Sequence, residues 1–141
     1  MKYSTRTRYG LRFLVYLALH GRDRFVQLSE VEVHERISLR YLEQIVRMLK
    51  PSGVLESRRG KYGGYRLAKS AADIEVAGLV MYLEGDLAPV AFLGSANKCR
   101  RSADCPTLPM WRELQEIIHT YLRNKSLQDL AEQSEASHIH V

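Results

Sequence analysis

The tightest constraint on this chain is the spacing of its helix stops between residues 21 and 64. Thr5 to His20 carries apolar residues at Tyr9, Phe13, Leu14, Leu17 and Ala18, a helical period that Gly21 closes. Ser29 followed three residues later by Glu32 reads as a capping box, opening a short helix through about Arg36. Ile37 and Ser38 interrupt it, and Ser38 can cap a third helix from Leu39 to Lys50, which Pro51 and Gly53 end. Two helices are thus joined by a turn of only a few residues. Val54 to Ser57 and Tyr65 to Ala68 then read as two strands around the basic, turn-forming stretch RRGKYGG.

Helix, short helix, tight turn, helix and two-stranded hairpin is the order of a winged helix-turn-helix, whose third helix enters the major groove of DNA. The expected fold is mainly α with a small β-wing. On the third helix Leu39, Leu42, Val46 and Leu49 form the stripe expected to pack on the core, which turns Arg40, Glu43, Gln44 and Arg47 outward. Such a row is also the ordinary solvated face of an amphipathic helix. Its chemistry nonetheless suits base edges: Arg pairs with guanine, Gln with adenine, and Glu accepts from the cytosine amino group. Ser38 serves mainly as a cap, with a phosphate contact as a second role. In the wing, Arg58, Arg59 and Lys61 flank glycines, and an Arg at such a tip can enter a narrow minor groove; the alternative is a solvated hairpin whose glycines only shape the turn. Arg6, Arg8, Arg12, Arg47 and Lys50 suit phosphates.

Charge is divided along the chain in the same sense. Residues 1–69 hold 15 Lys and Arg against 6 Asp and Glu, a net of +9, while residues 70–141 hold 6 against 10, a net of −4. A basic module joined to a mildly acidic one fits a polyanion-binding half and a half with another task. With 141 residues the chain holds one core, or one small domain with a dimerisation arm. Its apolar runs are interrupted by Arg, Gly or Glu, and MKYSTRTRYG lacks a secretory pattern, so a cytoplasmic protein without a membrane span is expected.

Helical spacing returns at Val76, Leu79, Val80 and Leu83, ending at Gly85. An irregular segment with both cysteines follows. Thr107 to Arg123 is strongly periodic, with Trp111, Leu114, Ile118, Tyr121 and Leu122 on one side, and Ser126 can cap a last helix to about Gln133. The chain therefore divides into a DNA-binding domain (1–84), a cysteine-containing loop (85–106), a dimerisation helix with a short terminal helix (107–133) and a flexible tail (134–141). The stripe on the long helix is too large to leave exposed, so a homodimer is expected, and two reading helices related by a two-fold axis demand a pseudo-palindromic operator in double-stranded DNA.

The stretches STRTRYGLRFLVYLAL, ISLRYLEQI and RRGKYGGYRL, followed by cysteines and then PTLPMWREL, closely resemble the IscR, NsrR and CymR family of bacterial regulators over residues 1 to about 133. The resemblance implies a dimer with a winged-helix DNA-binding domain and a long C-terminal dimerisation helix. It also places Ser38, Arg40, Glu43, Gln44 and Arg59 at DNA-contacting positions. Many relatives hold an iron–sulfur cluster on three cysteines completed by a histidine or an acidic residue, and Cys99 and Cys105 match the second and third cysteine. Phe92, Leu108 and Arg8 stand where the first cysteine, the histidine and the acid belong. Three readings of the pair stay open: a [2Fe–2S] cluster with another second pair of ligands, a reversible disulfide favoured by Lys98, Arg100 and Arg101, or a loop without a sensor.

A different class of function is a protein-interaction regulator whose basic face or dimer surface docks an acidic partner enzyme, with no cofactor. An enzyme is not expected, since the chain lacks a phosphate loop, an HExxH helix and a GxSxG elbow.

Overall fold

The structure, a computed structural model, describes residues 2–85 and 104–139, the last three as backbone alone. Helix α1 (Thr5–His20) begins where Ser4 Oγ accepts the Thr7 N–H at 3.3 Å and ends where the Gly21 N–H donates to the Leu17 carbonyl at 2.8 Å. Its Phe13, Leu14 and Leu17 are fully buried, and most of the other described helices pack around it.

Helix α2 (Leu28–Glu35) does not open on the expected capping box. Val26 and Tyr65 exchange both main-chain hydrogen bonds at 2.8 Å, which holds the chain extended up to Gln27, so the first turn starts there and Ser29 falls inside it. Glu32 turns instead to the next element, where its carboxylate accepts the Leu39 N–H. Arg36, left-handed at φ 56°, ends α2. Glu30 of α2 joins α1 by accepting from the Tyr16 hydroxyl (2.6 Å), and it also accepts from Arg24 Nη1 and Nη2, both at 2.8 Å. The Arg24 bonds hold the Glu30 carboxyl down at about 2, while burial and the bond to Glu30 push Tyr16 up to about 12.

Helix α3 (Leu39–Leu49) is capped by Ser38, whose Oγ accepts the Tyr41 N–H at 3.2 Å. Leu42, Ile45, Val46 and Leu49 are buried against the core. Leu39 departs from the expected stripe: as the first residue after the Ser38 cap it is 40% exposed, and burial begins one turn later at Leu42. A 3-10 turn, Lys50–Ser52, and Gly53 at φ 72° end the helix.

Strands β1 (Leu55–Arg58) and β2 (Gly64–Leu67) pair antiparallel in the register Leu55 with Leu67, Glu56 with Arg66, Ser57 with Tyr65 and Arg58 with Gly64, each strand one residue displaced from the sequence expectation. The hairpin is pinned at both of its paired glycines. A Cβ on Gly63 would lie 2.1 Å from the Arg58 carbonyl oxygen, and one on Gly64, at φ 137°, would lie 2.3 Å from that of Val26.

Helix α4 (Val76–Glu84) buries Val76, Leu79, Val80 and Leu83, and Glu84 ties its end to the start of α1. Glu84 accepts from the Ser4 N–H (2.8 Å), the Ser4 hydroxyl (2.9 Å) and the Thr7 hydroxyl (2.5 Å). Burial alone would raise this carboxyl, but the three bonds outweigh it and hold it below the usual range. After α5 (Leu108–Arg123), Ser126 and Asp129 cap each other, with Ser126 N–H donating at 2.8 Å and Asp129 N–H at 3.1 Å. Helix α6 (Leu127–Ile139) returns to α1, burying Leu127 and Ala131, and continues past Gln133, where the sequence suggested it would stop. Among the described residues no helix is long and apolar enough to cross a membrane.

Candidate nucleic-acid interface

Helix α3 owes its position to three local devices. Ser38 and Glu32 each satisfy one of the free N–H groups at the start of α3, and α2 packs beside it. With the apolar stripe buried, Arg40, Glu43, Gln44 and Arg47 are all exposed, and Lys50 extends the row into the 3-10 turn. A tether from Tyr9 of α1, edge-on to Tyr41 with ring centres 5.7 Å apart, supports the first turn from below.

The wing presents Arg59 and Lys61 at its tip, both exposed, beside Tyr62, which is 81% exposed. The tip is tied down where Gln27 Nε2 donates to the Lys61 carbonyl at 2.8 Å and Gly63 N–H to that of Gly60 at 3.0 Å. Arg58 does not share this tip. It lies 4.6 Å from the Phe25 ring centre, on the outer face where Arg66 stacks on the same ring at 4.3 Å and binds Glu56 at 2.9 Å. The Arg66 hydrogen bonds hold the Glu56 carboxyl below its usual range. Sequence reasoning missed Phe25, because nothing local in RDRFVQL announces two guanidiniums arriving from residues more than thirty positions away.

The basic residues of α1 differ in their surroundings. Arg12 binds the Glu35 carboxylate at 2.9 Å and its carbonyl at 2.5 Å, closing the end of α2, so its guanidinium, expected at a phosphate, is engaged within this chain. Arg8 Nη2 donates to Thr5 Oγ1 at 3.4 Å and Arg6 remains exposed.

Away from α3 in sequence, α5 buries only Leu108 among its residues. Ile117 is 65% and Tyr121 61% exposed, and Ile118, Tyr121 and Leu122 line a cleft of about 560 Å³ with Leu11, Val76 and Val80, almost free of polar surface.

Cys105 is partly buried just before α5, with Sγ 3.2 Å from Thr107 Oγ1. Cys99 and Phe92 lie outside the described residues. Leu108 is buried in the first turn of α5 and Arg8 carries a cation, so neither supplies a thiolate, imidazole or carboxylate to a cluster. Among the described residues no three His, Cys, Asp or Glu side chains gather as a metal site. The residues described do not fit the expected iron–sulfur ligand set.

Comparison with known proteins agrees with this architecture. Residues 3–133 match the Rrf2 family, described as "Iron-dependent Transcriptional regulator". The chain is 38% identical over 130 residues to protein rrf2 of Nitratidesulfovibrio vulgaris, covering 92% of this chain and 87% of that one. It is similar in structure to CymR, the global cysteine regulator of B. subtilis, with a TM-score of 0.77, 28% identity and coverage of 94% and 98% of the two chains. The IscR of T. potens gives a TM-score of 0.78 at 28% identity, covering 97% and 90%. A mainly helical chain with a two-stranded wing, matched along nearly its whole length by such regulators, belongs to the Rrf2 family of winged-helix, DNA-binding transcription regulators, which are not enzymes.

Proposed function

We propose that two copies of this chain bind a pseudo-palindromic operator, with α3 in the major groove and the wing tip along the adjacent minor groove. The observation that carries this reading is the exposed row Arg40, Glu43, Gln44 and Arg47 on a doubly capped helix, beside a pinned cationic hairpin. Arg40, Glu43 and Gln44 read base edges, Ser38 and Arg47 take phosphates, and Arg59 and Lys61 follow the narrow groove. Changing Arg40 or Gln44 to Ala costs about 1 to 3 kcal/mol on a selected operator and relaxes preference at particular bases, whereas Arg47→Ala weakens all sequences alike. Equal losses on operator and random duplex would refute the reading face. Excess random DNA also separates this reading from the docking of an acidic partner protein, which would survive that competitor.

The second copy covers α5. Its exposed Ile117 and Tyr121 and the adjoining apolar cleft are supported as a contact surface by their size and continuity. A cytoplasmic location follows from the same reading. Cys99 and Cys105 act, in this proposal, as a thiol pair that adjusts the link between the wing domain and α5. A peroxide oxidant takes two electrons from the pair, which loses two protons as the disulfide forms. Operator affinity of the wild type shifts by at least about fivefold between reduced and mildly oxidised protein, and the Cys99→Ser, Cys105→Ser double variant does not respond. Identical behaviour of both proteins would overturn the sensing role.

A further inference from the structure

The two faces of the hairpin use their side chains differently. On the outer face the cations are engaged, Arg66 with Glu56 and both Arg58 and Arg66 with Phe25. On the inner face Ser57 sits directly opposite Tyr65 in the ladder, and the two form one wall of a groove of about 430 Å³. The opposite wall is the outer flank of α3, contributing Glu43, Arg47 and Lys50, and Val46 and Leu55 add an apolar surface. Neither Arg47 nor Lys50 takes part in the ion pairs found among the described residues. Two cations and one acid leave the groove net positive, beside hydroxyls and an apolar surface. That is the complement of a phosphodiester joined to the hydrophobic face of its sugar.

We propose that this groove seats one sugar–phosphate unit of the DNA backbone. Arg47, Lys50 and the Ser57 hydroxyl hold the phosphate, and Val46 and Leu55 lie against the deoxyribose. The proposal rests on the DNA-binding reading above and adds a positioning role for Ser57, which neither the charge pattern nor the helix row reveals. The walls cannot slide far apart. The turn between them is closed by Ser52 Oγ donating to the Leu49 carbonyl at 2.5 Å and accepting the Val54 N–H at 3.2 Å, with Gly53 left-handed at φ 72°. One phosphate clamped between α3 and the wing therefore sets how deep the reading helix sits relative to the wing tip.

The test begins with a duplex selected from a randomised library by the wild-type protein. It is then synthesised with single neutral methylphosphonate linkages, moved one step at a time along each half-site. At one linkage per half-site the wild type loses about tenfold in affinity, the scale of a charge-assisted phosphate contact. At that same linkage Lys50→Ala and Ser57→Ala lose less than about twofold further, because the contact is already gone. Lys50→Ala also lowers the salt slope by about 0.9, whereas Ser57→Ala leaves it unchanged and Ser57→Thr restores affinity. Additive losses at every linkage would overturn the groove as a phosphate seat. Failure of the wild type to select any duplex over random DNA would instead overturn the DNA-reading interpretation on which it stands.

Discussion

Replacing Gly64 with Ala tests whether the wing is held by close main-chain approach rather than by its side chains. The added Cβ would stand 2.3 Å from the Val26 carbonyl oxygen and 2.9 Å from the Gln27 nitrogen, both backbone atoms that cannot rotate away, at a φ of 137° that side-chain-bearing residues rarely adopt. Relief requires β2 to leave Val26, breaking the two 2.8 Å hydrogen bonds between Val26 and Tyr65. Backbone strain of this kind costs about 1 to 3 kcal/mol, and each lost main-chain bond about 0.5 to 1.5 kcal/mol. A loss of about 2 to 6 kcal/mol follows, or a fall in Tm of roughly 6 to 24 °C for a chain of this size. Gly78→Ala is the matched control. Gly78 is exposed in α4 and a Cβ there meets nothing within 4 Å, so that variant gains about 0.5 to 1 kcal/mol from helix propensity. Thermal unfolding by circular dichroism measures both, with amide exchange at Val26 and Tyr65 as the local readout. An unchanged Tm together with still-protected Val26 and Tyr65 amides in Gly64→Ala would refute the argument.

Three further outcomes follow from contacts described above. Glu32→Ala removes the carboxylate on the Leu39 N–H and costs about 1 kcal/mol, with the loss of amide protection confined to the first turn of α3; equal protection there would show that Ser38 suffices alone. Glu30 is held at about 2 in the folded chain against a usual value near 4.5, so its bonds to Arg24 and Tyr16 stabilise the fold fully above that usual value and lose their effect as pH falls toward 2. Because Arg24 is half exposed, the difference between wild type and Glu30→Gln in urea titrations is only on the order of 1 kcal/mol at pH 7 and vanishes near pH 2; a difference that persists unchanged in acid would assign it to packing. Ile118→Glu puts a charge into the apolar cleft beside α5 and yields monomers in sedimentation, whereas a fully dimeric variant would move the interface elsewhere.

What could be read from the residues alone was whatever closes within one turn of chain. Ser38 could be named as a cap because its hydroxyl reaches an N–H only three residues on, and the outward row Arg40, Glu43, Gln44 and Arg47 follows from helical period once the stripe is known. The hairpin was legible from the turn-forming stretch RRGKYGG between its strands, and the family likeness added the cysteine register. The start of α2 was misplaced because Val26 is held by Tyr65, thirty-nine residues away in sequence, and no local pattern encodes that bridge. For the same reason Glu32 was read as closing its own helix when it closes the next, Arg58 was placed at the wing tip when Phe25 holds it on the outer face, and the bond from Arg12 to Glu35 went unseen. Periodicity announced an apolar face on α5, but only the packing of α1 and α4 beside it decided that the face opens as a cleft instead of closing into the core. Side-chain type and spacing determine which groups are able to bind DNA or a second copy. Which of them remain available is decided by long-range contacts, since a charge or hydroxyl already satisfied inside the fold has little left to offer a partner.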